Sequence, residues 1–400
     1  MDMLEYDKNL FSRTLEGYTV VLALCGSISI YRIPDLVRNL RREGAEVITG
    51  MSFNAAQFIS PEVMKWASEN SVITRISGEL EHINIFSENG DKKIFLVAPA
   101  SYNCIGKISS GIADTVPSLF FSQALGSNVK TLIAPAMHRS MMENPVNKKN
   151  IDKLISMGIS IVNPVYSGDK AKLGDNNCII DHVSRCVHNE LSGRRILIIS
   201  GRGEARIDPV RSLTNDGTGF TGYWIARNAF RLGADKITYI GNSEESMPDY
   251  VNYIPAKTFD EFKSNTIKEL KNNYDIVIVS AALPDFEVIN KNEEKYDSNK
   301  EITIKLKPVK KLLNIIRENF SGLLVAFRLT SDFNEDVMAH FKNVPDLVVV
   351  NTYKMEPFGR ITNHYIFAGN NISEDMGVMP KPVMTKKLLI YLSGLKGRGV

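Results

Sequence analysis

The sequence has few cysteines and no cluster of them. Its four cysteines, Cys25, Cys104, Cys178 and Cys186, form no Cys-x-x-Cys pair and no metal-type spacing with histidine. A protein-bound metal site such as structural zinc is therefore not expected. Isolated cysteines are typical of the reducing cytoplasm, which is the location that the sequence predicts.

Long apolar runs and a strong charge of one sign are also missing. No segment approaches the ~20 uninterrupted apolar residues of a membrane span, and the N-terminal segment lacks the apolar region of a signal peptide. The net charge is +3, with Lys and Arg dispersed, so no basic patch for nucleic acid is predicted. We expect a protein that binds neither membranes nor nucleic acids.

The length and composition fit two globular domains. The chain has 400 residues, 44% of them hydrophobic and 23% charged, which is typical of a folded globular protein. Because a single core rarely serves more than about 250 residues, we predict two domains, 1–192 and 193–400.

Each predicted domain opens with an apolar strand, a glycine-containing turn and a helix. The first strand is Val20–Leu24, with its turn at Gly26; the second is Ile196–Ile199, followed by Gly201 and Gly203. Apolar residues at helical spacing follow both turns. Further short apolar runs predict strands at Ile94–Val97, Leu132–Ala134, Ile159–Val162, Ile237–Ile240, Ile276–Val279, Leu323–Phe327 and Leu347–Val350.

Strands that alternate with helices imply parallel sheets. We therefore predict an α/β fold with two doubly wound, Rossmann-like domains and mainly parallel sheets. In such sheets ligands bind at the carboxyl ends of the strands. Gly26, Ser27, Ser52, Ser101 and Asn103 follow predicted strands, where helix N-termini could hold the phosphate of a flavin mononucleotide. Each of them taken alone is better explained as part of a tight glycine turn with a serine helix cap.

The succession of motifs in the first half resembles the flavin-dependent cysteine decarboxylase family. The resemblance covers residues 18 to about 170, and its PAS-x-N and PAM-xxx-M stretches are specific. The motifs are GSISIYR (26–32), MSFNAAQFI (51–59), EHI (81–83), APASYNCIGKISSGIAD (98–114) and APAMHRSMMENP (134–145).

The resemblance implies roles for individual residues. His82 matches the catalytic base, and Asn103 matches an asparagine that contacts flavin and the substrate carboxylate. His138 stands where the family has asparagine, in a motif that binds substrate together with Met137 and Met141. The implied FMN contacts are Gly26, Ser27, Ile28, Ser52, Ala100 and Ser101.

The chemistry that the resemblance implies is an oxidative decarboxylation. The cysteinyl thiol is oxidised by bound flavin, CO2 leaves because the thiocarbonyl accepts the electron pair, and the resulting enethiolate is reduced again. The last step needs an acid, which the family supplies from a cysteine in a glycine-rich flap. Residues 169–178 do not reproduce that flap; Cys178 is the nearest thiol and reads equally well as an ordinary cysteine.

The second half resembles the phosphopantothenate–cysteine ligases. The stretch RILIISGRGEARIDPVRSLTNDGTGFTG (195–222) carries the resemblance, most specifically at 207–211 and at Thr214-Asn215. The resemblance implies that Asn215 acts in the second step of catalysis and holds the carbonyl of the intermediate. The implied nucleotide contacts are Gly217, Thr218, Gly219, Asp285, Lys295, Phe327 and Lys342.

The implied ligase reaction activates a carboxylate. The carboxylate of phosphopantothenate attacks the α-phosphorus of CTP, with Mg2+ as the accompanying metal, and the amine of cysteine then attacks the acyl-cytidylate. CTP is the family's nucleotide, and the sequence leaves the base open. The resemblance also implies a homo-oligomer built from trimers of the flavin domain and dimers of the ligase domain.

Two other functions remain open at this point. A non-catalytic or ligase-impaired regulatory flavoprotein would explain the altered flap and His138, whereas His82 and the complete PAS-x-N motif favour an enzyme. A nicotinamide-dependent oxidoreductase would explain two glycine-containing turns. It is disfavoured because neither turn has the Gly-x-Gly-x-x-Gly spacing with an acidic residue about 20 positions later.

Overall fold

The computed structural model describes residues 11–87, 92–330, 341, 344–352, 361–369 and 372–395. These residues form two compact units. The first runs from Arg13 to His188, and the second begins at Asn189 and also takes in Phe11 and Ser12. Lys342, one of the expected nucleotide contacts, lies outside the described residues.

The first unit is built on a six-stranded sheet in the order β3-β2-β1-β4-β5-β7, with every neighbouring pair parallel. Its central strands are almost completely buried, which explains their continuous apolar sequence, because helices cover both faces of a parallel sheet. The strands are β1 (Thr19–Leu24), β2 (Glu46–Met51), β3 (Val72–Ile73), β4 (Lys93–Ala100), β5 (Lys130–Pro135) and β7 (Ser160–Ile161).

Nine helices belong to the described part of the first unit. In the first of them, the apolar residues at helical spacing are buried against the sheet, and Pro34 lies in the first turn as predicted. The helices are α1 (Ile33–Arg42), α2 (Phe53–Phe58), α3 (Pro61–Ser68), α4 (Glu81–Ser87), α5 (Tyr102–Ser109), α6 (Val116–Gly126), α7 (Arg139–Met142), α8 (Pro145–Ser156) and α9 (Asn176–Arg185). A 3-10 helix, Ile28–Arg32, precedes α1.

A small antiparallel sheet follows the main sheet of the first unit. Its order is β6-β9-β8, with β6 at Met137–His138, β8 at Val165–Ser167 and β9 at Lys170–Lys172. Strands β8 and β9 form a hairpin whose turn contains Gly168, with a φ of +59°. The first part of the stretch that departs from the family's flap is therefore part of a paired hairpin.

The second unit is built on an eight-stranded sheet in the order β14-β13-β10-β15-β18-β19-β20-β21. The first six strands are parallel to one another, and β20 is antiparallel to both of its neighbours, β19 and β21. The strands are β10 (Arg195–Ser200), β13 (Lys236–Gly241), β14 (Asn252–Pro255), β15 (Ile276–Val279), β18 (Leu323–Thr330), β19 (Leu347–Thr352), β20 (Thr362–Gly369) and β21 (Ile372–Pro380).

Two short hairpins and four helices complete the described part of the second unit. The hairpins pair β11 (Glu204–Arg206) with β12 (Ser212–Thr214), and β16 (Phe286–Val288) with β17 (Leu306–Pro308). The helices are α10 (Phe220–Arg231), α11 (Phe259–Glu269), α12 (Leu312–Asn319) and α13 (Lys381–Ser393), and a 3-10 helix, Leu270–Asn272, follows α11. Within the described ranges, every helix is too short or too polar to cross a bilayer.

The strand orders confirm the predicted fold class of two doubly wound α/β units. In each sheet the strand order reverses beside the first strand, between β1 and β4 and between β10 and β15. Such reversals open a crevice for ligands at the carboxyl ends of the strands. The antiparallel pair β20–β21 was not predicted, because buried Asn363 and half-buried Ile366 hide the alternation of polar and apolar residues in β20.

Candidate functional sites

The carboxyl ends of four strands bring the predicted flavin contacts together. Ser27 follows β1, and its Oγ donates a hydrogen bond to the carbonyl oxygen of Ala136, which follows β5, at 3.2 Å. Ser52 follows β2, and its N–H donates to the carbonyl oxygen of Leu24 at 3.0 Å. Ser101 directly follows Ala100, the last residue of β4. These residues line one edge of the sheet at its switch point.

Two of these serines also begin helices. The Oγ of Ser52 accepts the N–H of Ala55 at 3.1 Å, and the Oγ of Ser101 accepts the N–H of Cys104 at 3.3 Å. Each cap satisfies one helix N–H and leaves others at the same N-terminus available for an anion. The serines are therefore both helix caps and components of an anion cradle, so the two interpretations of the sequence do not exclude each other.

Gly26 is required by the close approach of two backbone segments. A Cβ atom at this position would lie 2.6 Å from the Cβ of Asn54, which is shorter than real carbon contacts allow. The absent side chain keeps the turn after β1 open beside α2. The cradle thus fits the phosphate end of a flavin nucleotide, whose binding requires close backbone approach and free N–H groups.

Large apolar side chains are exposed beside the cradle. Ile28 is 73% exposed and Phe53 is 75% exposed, and Tyr31, Phe58 and Trp66 are exposed as well. They lie on the 3-10 helix and on α2 and α3, the segments that follow β1 and β2. Clusters of exposed apolar side chains of this size are typical of ligand or protein interfaces.

His82 and Asn103 lie at the beginnings of helices. His82 is the second residue of α4 and is half-buried; Asn103 is the second residue of α5 and is exposed. Both helices run back from the carboxyl edge of the parallel sheet, so their N-termini belong to the edge that carries the cradle. Ser77 donates a hydrogen bond to Glu81, and this bond lowers the pKa of Glu81, which keeps a negative charge next to His82.

The hairpin β8–β9 is joined to His138 by hydrogen bonds. The Nε2 of His138 lies 2.9 Å from Oδ2 of Asp169, and its Nδ1 lies 3.1 Å from the Oγ of Ser140. The N–H of Arg139 donates to the carbonyl oxygen of Asp169 at 2.8 Å. The bond from His138 lowers the pKa of Asp169. Both ring nitrogens of His138 are therefore engaged, whereas Met141 is exposed.

Cys178 lies beyond the hairpin, on α9. It is half-buried and packs against the hydrophobic core of the first unit. Its sulfur lies 3.6 Å from Nδ1 of His182, one turn later on the same helix. Burial raises the pKa of Cys186, at the end of this helix, to about 11, so that thiol stays protonated at neutral pH.

The second unit contains a pocket of about 190 Å³ at its switch point. Ser200 and Gly201 at the end of β10, and Ser280 to Ala282 after β15, form one side of it. Four expected nucleotide contacts also line it: Gly217, Thr218, Gly219 and Phe327. Asp285 and Lys295 are exposed and are not among the described residues that line this pocket.

The side chain of Asn215 is held against the segment that follows β15. Its Nδ2 donates to the carbonyl oxygens of Ala282 and Leu283, at 3.2 Å and 3.4 Å. The Oγ1 of Thr214 donates to the carbonyl oxygen of Gly203 at 2.9 Å. These bonds use the amide nitrogen of Asn215 and leave its Oδ1 as the atom with remaining hydrogen-bonding capacity.

Asp208 organises the loop that carries the ligase-like motif. Its Oδ1 accepts the N–H groups of Val210 and Arg211 at 2.8 Å and 2.7 Å, and its Oδ2 accepts the N–H of Tyr296 at 3.2 Å. The Nη1 of Arg211 donates to Oδ2 at 2.7 Å. Burial opposes ionisation of this carboxyl, but the hydrogen bonds outweigh it and lower the pKa to about 2.

This low pKa predicts a loss of stability in acid. Because the folded pKa lies below the unfolded value of about 3.9, the stabilisation is complete above about pH 4 and is lost as the pH falls toward about 2. We expect Asp208→Asn to lower the melting temperature at pH 7. Between pH 4 and pH 2, the melting temperature of the variant should fall less than that of the wild type. Thermal unfolding followed by circular dichroism measures both, and parallel losses in the two proteins would contradict the assignment.

Three buried polar residues of the pocket were not predicted from the sequence. Asn363 and Tyr365 come from β20, and Lys381 is the first residue of α13. Pro382, the residue after Lys381, is typical of a helix start. It was the sequence signal that could have placed the lysine at the beginning of a helix. Among the described residues, no group of three or more His, Cys, Asp or Glu side chains could hold a metal ion.

Comparisons with known proteins match both halves of the chain. A family model described as Flavoprotein matches residues 9–188, and one described as DNA/pantothenate metabolism flavoprotein C-terminal domain matches residues 191–395. The Coenzyme A biosynthesis bifunctional protein CoaBC of Thermococcus kodakarensis is 35% identical over 388 residues, which cover 94% of this chain and 95% of that protein.

More distant relatives carry the same name. The CoaBC protein of Borreliella burgdorferi is 29% identical over 396 residues, covering 93% of this chain and 98% of that protein. A crystal structure of the C-terminal domain of a CoaBC protein is 23% identical with a TM-score of 0.44, and covers 51% of this chain and 96% of that one.

Proposed function

The chain belongs to the family of coenzyme A biosynthesis bifunctional proteins, and we propose that it joins 4'-phosphopantothenate to cysteine and decarboxylates the product to 4'-phosphopantetheine. It is a flavoprotein enzyme with a decarboxylase half and a ligase half. The observation that carries the proposal for this chain is that each unit has glycine and hydroxyl-bearing residues of its motifs at the switch point of its own sheet.

In the first unit we assign the binding of FMN to the cradle at the carboxyl ends of the strands. When bound, the flavin supplies the two-electron chemistry that makes the substrate carboxylate a leaving group. The chain supplies hydroxyl and N–H donors for the nucleotide, through Gly26 to Ile28, Ser52 and Ala100-Ser101. His82 accepts a proton from the substrate, and Asn103 orients the substrate carboxylate.

We assign the rest of the substrate to the segment after β5. Met137, His138 and Met141 contact the pantothenoyl part of the substrate. The contact between His138 and Asp169 holds the imidazole ring in one orientation. The ring therefore has a fixed position at the place where relatives have an asparagine side chain. The proton for the last step comes from Cys178, whose thiol lies beside His182 on α9.

In the second unit we assign the nucleotide to the pocket between β10 and β15. The N–H groups of Gly217 to Gly219 bind phosphate at the start of α10, and Phe327 contacts the base. Asp285, Lys295 and Lys342 are further proposed contacts of the nucleotide, outside the described lining of the pocket. Asn215 holds the carbonyl of the acyl-nucleotide with its amide nitrogen, which exchanges a hydrogen bond to Ala282 or Leu283 for one to the ligand. The nucleotide is CTP, bound with Mg2+, whose charge offsets that of the triphosphate.

The assembly that we propose is a homo-oligomer in the cytoplasm. Trimers form through the flavin units, and the ligase units pair as dimers. The exposed apolar side chains beside the cradle, such as Ile28 and Phe53, support the first of these contacts, because they would be buried by a neighbouring subunit. Light scattering at several protein concentrations measures the mass of this assembly.

One assay on the purified protein tests both activities. The protein receives 4'-phosphopantothenate, cysteine, Mg2+ and either CTP or ATP, and mass spectrometry identifies the products. We expect 4'-phosphopantetheine, formed faster with CTP. Accumulation of phosphopantothenoylcysteine would show an inactive decarboxylase half. No product from a yellow protein would favour the regulatory flavoprotein instead.

A further inference from the structure

A buried lysine stands at the start of the last helix, beside the ligase pocket. Lys381 is the first residue of α13, only 8% exposed, and lines the pocket. Its backbone N–H donates to the carbonyl oxygen of Ile361 at 2.8 Å. Its Nζ lies 5.6 Å from the centre of the Phe220 ring, and Phe220 is the first residue of α10. The ammonium group is therefore close to the beginnings of two helices.

This position is electrostatically unfavourable for a cation. The N-termini of helices carry partial positive charge, which stabilises anions and destabilises ammonium groups. Burial lowers the pKa of Lys381, because a charged group loses its hydration there. Among the residues that the structure describes, no carboxylate lies within ion-pair distance of Nζ. A bound anion would balance these positive charges.

Two further polar side chains line the same part of the pocket. Tyr365 is 2% exposed and Asn363 is 3% exposed, and both line the pocket from β20. The hydroxyl of Tyr365 makes no hydrogen bond of good geometry with the described residues, and the side chain of Asn363 is its polar neighbour. A buried hydroxyl without a good hydrogen bond costs stability unless something binds it, so this atom also indicates a ligand.

We propose that Lys381, Tyr365 and Asn363 form a binding subsite for a phosphate group of a ligase substrate. The inference rests on the proposed ligase function and adds a subsite to it. Lysine ammonium, tyrosine hydroxyl and asparagine amide are all hydrogen-bond donors, and the N–H groups at the start of α10 face the same pocket. A set of donors with one full positive charge is suited to phosphate oxygens.

The phosphate has two possible sources in this reaction, the triphosphate of the nucleotide and the phosphate of 4'-phosphopantothenate. Asp216 also lines the pocket, and its carboxylate suits the Mg2+ that accompanies a nucleotide triphosphate. A change of Lys381 distinguishes the two sources, because the ligand whose phosphate binds this subsite should lose affinity.

The test compares Lys381→Met with Lys387→Met in the full-length protein. Lys387 lies on the same helix and is exposed, so its change is a matched control for the loss of one positive charge. Isothermal titration measures binding of CTP, inorganic pyrophosphate and 4'-phosphopantothenate, each in the presence of Mg2+. We expect Lys381→Met to weaken at least one phosphate ligand by about 10- to 100-fold, whereas Lys387→Met stays near wild type.

The pattern of losses identifies the source. Weaker CTP and pyrophosphate with unchanged 4'-phosphopantothenate assigns the subsite to the triphosphate, and the reverse assigns it to the acid substrate. Equal binding of all three ligands by the two variants would overturn the proposal. An inactive wild-type ligase would count against the proposed function alone, since the binding comparison still decides the role of Lys381.

A measurement of the melting temperature shows whether the variant is folded. In the free protein, methionine removes a buried charge from two helix N-termini, so Lys381→Met should melt at the same or a higher temperature than the wild type. Lys381→Arg should recover part of the lost affinity, because it restores the charge. If Lys381→Met is folded and binds all three ligands with unchanged affinity, the proposal is wrong.

Discussion

His82→Asn is expected to abolish the release of CO2 from phosphopantothenoylcysteine while leaving the flavin bound. Asparagine keeps hydrogen-bonding atoms at the start of α4 but cannot accept a proton near neutral pH, as histidine does. Loss of a general base typically lowers the rate by about 100- to 10,000-fold. The flavin cradle is built from other segments, after β1, β2 and β4, so the absorbance of bound flavin should stay unchanged.

The measurement is single-turnover release of CO2 together with the flavin absorbance of the purified variant. Ser87→Ala, at the exposed end of the same helix, serves as the control and should behave as wild type. Normal turnover by His82→Asn would remove the base assignment. In the same assay, Cys178→Ser should release CO2 and then stall before the final protonation, whereas Cys186→Ser should complete the reaction.

Asn215→Asp is expected to stall the ligase after the first step. The amide nitrogen of Asn215 donates to two backbone carbonyl oxygens after β15, and a carboxylate would place oxygen against oxygen there. Its negative charge would also face the carbonyl of the acyl-nucleotide. We expect the rate of amide formation to fall by about 100- to 1,000-fold, as when a donor that fixes a reacting carbonyl is lost.

Rapid quenching and mass spectrometry measure this effect. The acyl-nucleotide should accumulate to about one per active site, with a matching burst of pyrophosphate and no phosphopantothenoylcysteine. Asn314→Asp, an exposed position on α12, is the control for adding a negative charge to the same unit. If amide forms at the wild-type rate in Asn215→Asp, the proposed role of this side chain is wrong.

The strands and the turns after them could be predicted from the sequence because their signals lie in neighbouring residues. The runs at Val20–Leu24 and Ile276–Val279 lie within β1 and β15, since strands covered on both faces have continuous apolar sequences. The motif at Asp208 could be identified but not explained from the sequence. The bond from the N–H of Tyr296 to Asp208 joins segments far apart in the chain.

Other features depended on contacts that no local pattern encodes. The hairpin β8–β9 pairs with β6 through its strand β9, and this pairing also places Asp169 against His138. Cys178, the thiol nearest to the expected flap, lies instead on α9 against the core, because the chain enters a helix at Asp175, whose side chain caps it.

The sequence by itself determined the α/β class, the two successive units and the motif residues at the ends of the strands, because periodicity and short motifs are properties of neighbouring residues. Only the tertiary structure decided which distant side chains share a pocket. Lys381 and Tyr365 come from the C-terminal part of the chain, yet they face the turn at Gly217. The order of strands in the sheet, not their order in the sequence, brings them there.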